Sequence, residues 1–249
     1  MSIVLDVAGL SKAFGGIQAV GGVSFRVAAG EIRALIGPNG AGKSTCFNML
    51  NGQIRPDAGH VRLRDRDITG MPPTAVCRLG VGRTFQITAT FASMSVRENV
   101  QTALLSHHRH VWRFFAPAAR AFRPEADALL GRVGLAAQAD RAAGVLAYGD
   151  LKRLELAIAL AGEPMLLLMD EPTAGMAPAE RTALMRLVRD LTQRHGIAVL
   201  FTEHDMDVVF GAADTIMVLD RGRLIAEGDA AAIRAHPRVR DVYLGSTAC

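Results

Sequence analysis

The stretch Gly37-Pro38-Asn39-Gly40-Ala41-Gly42-Lys43-Ser44-Thr45 has the spacing Gly-x4-Gly-Lys-Ser. Residues of these types at these intervals suit one task, the holding of a polyphosphate. Glycines at 37, 40 and 42 admit backbone conformations closed to residues with a Cβ, so successive N–H groups can turn onto phosphate oxygens. Lys43 is placed to reach the terminal phosphates of a nucleotide, and the Ser44 hydroxyl to ligate Mg²⁺. A plain glycine-rich turn is the alternative. The setting argues against it: an apolar run, Ile32 to Ile36, leads into the loop, and a helix predicted to begin near Lys43 aims its positive end at the same place.

Three further groups have chemistry that fits such a site. Met165-Leu166-Leu167-Leu168-Met169 is an unbroken apolar run that ends in Asp170-Glu171, the pattern of a fully buried parallel strand whose carboxyl end meets a metal. Asp170 is then placed for the Mg²⁺ shell and Glu171 for a water in line with the γ-phosphate. A second buried strand, Ile197 to Phe201, delivers Thr202-Glu203-His204, where His204 can act as donor to the γ-phosphate. A third, Gly80 to Gln86, ends on a polar Gln86, and strand ends line the ligand crevice of a doubly wound sheet. Phe14, before Gly15-Gly16, reads as an aromatic in a loop ahead of the phosphate site, suited either to stacking on adenine or to the core.

The elements that must position these groups can be read from periodicity. Ile3-Val4-Leu5 begins one strand, and Val23 to Val27 alternates apolar with polar as a half-buried strand does. Pro56-Asp57-Ala58-Gly59 turns into a strand at His60 to Leu63, and Pro72-Pro73 opens a short helix. From Gln86 to about residue 161 the pattern is helical: Ser95 and Glu98 form a capping box, Pro124-Glu125 opens a second helix, and a third starts around Gly149-Asp150. Pro178 opens a helix with the stripe Leu184, Leu187, Val188 and Leu191, stopped by Gly196. Strands at Thr215 to Leu219 and Arg223 to Ala226 follow. The expected organisation is one domain over 1–249, in which 1–86 and 162–249 form the nucleotide-binding core and 87–161 a helical insertion.

Composition narrows the classes. Among 249 residues, 50% are hydrophobic and 21% charged, which suits a globular chain with a substantial core. A mean hydropathy of +0.21 is high for such a chain and suggests apolar surface covered by a partner. No apolar run reaches the roughly 18 residues of a membrane span, and the N-terminus lacks the basic start of a signal peptide, so a cytoplasmic location is expected. Cys46, Cys77 and Cys249 have neither metal nor redox spacing. A net charge of +4 does not choose between nucleotide, nucleic acid and an anionic membrane. Residues 107–123 are basic and aromatic without an acid, which fits either a membrane-side contact or a solvated insertion.

Taken together, these stretches resemble the ATP-binding subunit of an ATP-binding cassette (ABC) transporter over nearly the whole chain. Gly37 to Thr45 resembles the Walker A motif, Gln86 the Q-loop, Leu146-Ala147-Tyr148-Gly149-Asp150 the signature, Leu166 to Glu171 Walker B, Thr173 to Ala177 the D-loop and His204 the switch histidine. The resemblance implies a P-loop NTPase (RecA-like) α/β fold, a mostly parallel sheet with an N-terminal antiparallel β part and an inserted helical subdomain. It implies ATP and Mg²⁺, with Glu171, His204 and Gln86 catalytic and Ser44, Gln86 and Asp170 around the metal. Phe14 falls at the family's adenine-stacking position. Phe14-Gly15-Gly16, Arg83 to Gln86, Ala174-Gly175-Met176, Glu203 to Met206 and Val242 to Gly245 look most like the branched-chain amino-acid uptake group, whose relatives also import urea, amides and other small polar nutrients.

The implied partners are a second ATPase subunit, identical or paralogous, a membrane permease and, indirectly, a substrate-binding protein, with the chain at the inner face of a bacterial plasma membrane and no nucleic acid. Two positions depart from the family pattern. Ala147 lacks the serine hydroxyl of the signature, where Tyr148 also replaces its first glycine, and Ala177 replaces the D-loop's closing Asp or Asn. One neutral hydrogen bond is worth about 0.5–1.5 kcal/mol, so a weaker contact and not a dead site is expected. A soluble ABC protein acting on ribosomes or DNA usually carries two cassettes or long coiled-coil insertions, absent here. A P-loop kinase would need an acceptor site and an arginine lid.

Overall fold

Strands rich in β-branched and aliphatic residues build two sheets in this computed structural model, which describes residues 2–84, 90–108 and 122–244. An antiparallel sheet has the order β2-β1-β4-β5, where β1 is Ile3–Phe14, β2 Ile17–Ala28, β4 Ala58–Leu63 and β5 Arg66–Asp67. The second sheet runs β10-β9-β3-β8-β7-β6, with β3 Ile32–Ile36, β6 Val81–Thr84, β7 Leu166–Asp170, β8 Ala198–Thr202, β9 Thr215–Asp220 and β10 Arg223–Gly228. Its neighbours pair in parallel except β9 with β10.

The parallel strands are buried on both faces, which is why they read as continuous apolar runs. Alternate residues divide between two cores. Leu167, Met169, Val199 and Phe201 face one, while Leu166, Leu168, Ala198 and Leu200 face the other. The second core also takes Phe47, Met49 and Leu50 of helix α1 (Lys43–Leu50) and Val4, Leu5, Val7 and Leu10 of the antiparallel sheet. The first is shared with helices α3 (Val96–His107), α4 (Arg123–Arg132) and α5 (Tyr148–Leu160) and with α6 (Pro178–His195) and α7 (Met206–Ala212). A short α2, Pro73–Arg78, begins at the Pro72-Pro73 pair.

Local signals produced the local structures they predict. Ser95 accepts from the Glu98 N–H while Glu98 accepts from the Ser95 N–H, so the capping box is formed. Gly196 ends α6 at φ 65°, a left-handed cap that suits glycine. Arg97 ties α3 to α4 and to the following turn through Asp127, at 2.6 Å, and Asp140. One expectation is corrected: Phe14 does not sit in a loop but is the last residue of a 12-residue strand, paired with Ile17 across the Gly15-Gly16 turn. Two others, Gln86 and most of the basic aromatic stretch 107–123, lie outside the described residues. Among the described residues no helix is long and apolar enough to cross a membrane.

Candidate functional site

Strands β3, β7 and β8 run in parallel, so their carboxyl ends come to one end of the sheet, where Asp170 pairs with Thr202 and the phosphate loop leaves β3 after Ile36. A cleft of about 210 Å³ opens there, lined by Ala19, Asn39, Gly40, Ala41, Gly42, Lys43, Ser44, Thr45, Glu171 and His204. The phosphate loop is thus brought together with the acid and the histidine predicted to act on it. The loop packs tightly behind: a Cβ on Gly42, at φ 104°, would lie 2.3 Å from the Ala19 carbonyl oxygen, so only glycine fits. Gly40, at φ 78°, has open space where its Cβ would be.

Lys43 is 8% exposed, and its amine donates to the carbonyl oxygens of Gly37 and Pro38, at 2.6 and 3.1 Å. Burial pulls its pKa below that of an ordinary lysine, and the charges of Glu171 and Asp170 oppose this. The amine is therefore held at the loop by the loop itself. No acid occupies the first turn of α1 that would compete for an anion at its N-terminus.

Asp170 accepts from the Thr202 hydroxyl at 2.7 Å on one oxygen and from Arg83 at 3.3 Å on the other. Arg83 in turn donates to Asn48 of α1 at 2.8 Å, so it links the strand beside Asp170 to the phosphate-loop helix. Glu171 adopts a left-handed backbone, φ 47°, and its N–H donates to the Thr202 carbonyl at 3.1 Å. Its Oε1 lies 2.9 Å from Nε2 of His204. These two side chains form a carboxylate–imidazole pair at the mouth of the cleft. Glu203, between Thr202 and His204, is buried and accepts from Thr173 and from the His204 N–H.

The other predicted residues fall elsewhere. Phe14 is 48% exposed at the hairpin tip, with the Lys12 amine 5.6 Å from its ring centre, and is not among the residues lining the cleft. Lys12 and the Ala13 N–H both bind Asp57, at 2.6 and 2.8 Å, which holds the Asp57 carboxyl below the usual carboxylate range and fastens this end of β1 to the neighbouring loop. Ala147 caps α5 without a side-chain bond, and Asp150 in its first turn accepts from Gln138 at 2.6 Å. Tyr148 lies over Gly175, and Gly149 backs onto Glu180. Tyr148 and Gly149 therefore pack on the segment 175–180 of the same chain, and none of residues 147–150 lines the phosphate cleft.

Sequence reading gave no role to Arg83, Thr202, Glu203 or Arg181, which donates to the Met176 carbonyl at 2.7 Å and pairs with Asp205. A charged residue one position past an apolar run of five, Ile197 to Phe201, was the available signal for Glu203. Cys46 is buried, which pushes its thiol up to about 12, so it is no nucleophile at neutral pH.

A glycine-lined anion cradle at a helix N-terminus, a histidine past the end of the neighbouring β8 and two acids at the end of β7 beyond it define a P-loop nucleotide-binding ATPase. The ABC transporter family profile matches residues 20–174, and a branched-chain amino-acid ATP-binding cassette transporter profile matches 223–248. The chain belongs to the ABC transporter family, as one of its ATP-binding, ATP-hydrolysing subunits.

It is 40% identical to the high-affinity branched-chain amino acid transport ATP-binding protein BraF of Pseudomonas aeruginosa, with 97% of this chain and 98% of that one covered. LivG of Escherichia coli, with the same description, is also 40% identical, again covering 97% and 98%. The lipopolysaccharide export system ATP-binding protein LptB of Acidithiobacillus ferridurans is 38% identical, covering 98% of each. A crystal structure of the ADP conformation of an ATP-binding cassette of an ABC transporter superposes with a TM-score of 0.88 at 32% identity, over 98% of this chain and 100% of that one.

Proposed function

We propose that this chain powers an importer of branched-chain or chemically related amino acids, acting as a dimer that closes on two ATP molecules beneath a membrane permease. The observation that carries the hydrolytic part is the Glu171–His204 pair, 2.9 Å apart, on the same cleft as Lys43 and Ser44. Lys43 and the loop N–H groups bind the triphosphate. Glu171 takes the proton of the attacking water, a role worth about 10²–10⁴-fold in rate. His204 keeps that carboxylate turned toward the cleft and, with Gln86, reports the γ-phosphate.

Among the described residues no three His, Cys, Asp or Glu side chains form a metal cage. One hydroxyl, Ser44, and one strand-end carboxylate, Asp170, are instead the sparse oxygen set that suits Mg²⁺ bound together with phosphate oxygens. Those two residues and Gln86 would hold it, and when bound it neutralises charge on the phosphates.

Residues 147–150 sit away from the chain's own cleft, which supports a head-to-tail dimer in which they complete the partner's site. The Gly149 N–H and the N-terminus of α5 supply donors there without a serine hydroxyl. Residues 87–161 form the helical subdomain in this reading. Its exposed Phe91, Met94 and Val145 are brought onto adjoining backbone by the Ala143 and Gly144 N–H groups, which donate to Met94 and Ala92. Such a patch fits cytoplasmic helices of a permease. That partner holds the chain at the inner face of the plasma membrane.

The C-terminal match over 223–248 and the BraF and LivG likeness favour an amino-acid cargo over the export suggested by the LptB likeness. The test is ATP-driven uptake of labelled leucine by vesicles bearing the chain with a permease and a substrate-binding protein of a branched-chain amino-acid importer. Uptake of urea or an amide without leucine would overturn the cargo and keep the ATPase.

For Phe14, stacking on adenine predicts a nucleotide effect alone. Phe14→Ala should raise the Kd for a fluorescent ATP analogue at least about fivefold, from about 1–3 kcal/mol of base stacking, with kcat at saturation unchanged. An unchanged Kd would return Phe14 to a packing role.

A further inference from the structure

We propose that Glu203 is a positioning residue for hydrolysis, holding the loop that carries Glu171 at a fixed distance from the loop that carries His204. The inference rests on the reading of Glu171 and His204 given above. Glu203 is 3% exposed, and a carboxylate taken out of water is costly unless donors surround it. Its two oxygens divide between the two loops. Oε1 accepts both the N–H of Thr173, at 2.9 Å, and the Thr173 hydroxyl, while Oε2 accepts the N–H of His204, at 3.0 Å.

Only Pro172, whose ring fixes its φ, separates Thr173 from Glu171, so a clamp on Thr173 is nearly a clamp on Glu171. The Thr202 hydroxyl on Asp170 and the Glu171 N–H on the Thr202 carbonyl stitch the same two loops one step earlier. Glu203 closes this ladder at its open end, next to the 2.9 Å contact between Glu171 and His204. An apolar side chain would fill the same space at less desolvation cost but would leave three donors without an acceptor. What the carboxylate adds is a shared anchor for the reacting pair.

A misplacement of about 1 Å in such a pair costs on the order of a hundredfold in rate. Glu203→Ala and the milder Thr173→Val, in the purified full-length chain, are therefore expected to lower kcat by at least about tenfold and threefold respectively, with the Kd for ATP within about twofold of the parent. Glu203→Gln, of equal size and able to accept at one oxygen only, should fall between parent and Glu203→Ala, and it carries the test if the alanine variant does not fold. The double variant Glu203→Ala with His204→Ala should be no slower than His204→Ala alone, because the anchor acts through the pair.

Folded variants, checked by thermal melting, whose kcat stays within twofold of the parent would overturn the proposal. So would effects of Glu203 and His204 that multiply independently, or a loss confined to ATP binding. If His204→Ala and Glu171→Gln themselves leave turnover intact, the underlying reading of the pair fails. If both abolish it while Glu203→Gln and Thr173→Val do not, the positioning role alone fails.

Discussion

Replacement of Glu171 by Gln is expected to give a chain that binds ATP as the parent does but turns it over at least about a hundred times more slowly. The amide keeps the shape of the side chain, its left-handed backbone and a polar contact to Nε2 of His204, and removes only the capacity to take a proton. Nucleotide then stays intact between subunits, so the variant should elute as a dimer from a sizing column in ATP and as a monomer in ADP. Phosphate release and elution volume check both halves. Turnover equal to the parent's would remove Glu171 from the role of base, and slow turnover without an ATP-dependent dimer would leave the base and remove the sandwich.

Lys43→Ala is expected to act one step earlier and to lose more. The lysine is the cation that the loop holds over its own carbonyl groups, and no other lysine or arginine lines the cleft among the described residues. Hydrogen bonds to charged groups are worth about 1.5–3 kcal/mol each, so ATP binding should weaken by at least about tenfold. Loss of charge stabilisation where negative charge develops should bring the total fall in kcat/KM to about a thousandfold. Lys43→Arg should not restore it, because the guanidinium is larger and forked where a compact ammonium fits between Gly37 and Pro38. Nucleotide titration separates the two variants: Glu171→Gln binds ATP as the parent does and Lys43→Ala binds it at least about tenfold more weakly.

How much of this was legible in the sequence follows from how local each signal is. The phosphate loop, the Leu166 to Glu171 run and the Ser95–Glu98 cap are written in contiguous residues, and each took the predicted form. Phe14 was misplaced because β1 does not keep a clean period of two. Register shifts between Ile3 and Leu5, between Val7 and Ser11 and between Lys12 and Ala13 scramble its alternation, so a long strand reads as a short one and a loop. The bonds that organise the site join residues far apart, Arg83 with Asp170 and Thr173 with Glu203, and a chain of letters carries no spacing for such pairs. Resemblance supplied the roles of the motifs, and it was silent on the residues that hold them in place.

One consequence concerns the backbone of Glu171. At φ 47° it occupies a region in which glycine and asparagine are at ease and a glutamate is not, at a cost on the order of 1–3 kcal/mol. Selection for a robust fold alone would drift this position toward those two residues. Arg64, Phe122, Glu163 and Arg221 share such a backbone, so the fold bears this cost at other positions too; at Glu171 the proposed reading gives it a use, hydrolysis. A copy of this chain relieved of that duty would lose its acid first and become sturdier in doing so, and a left-handed residue other than Glu after the β7 aspartate would mark a relative that holds nucleotide without spending it.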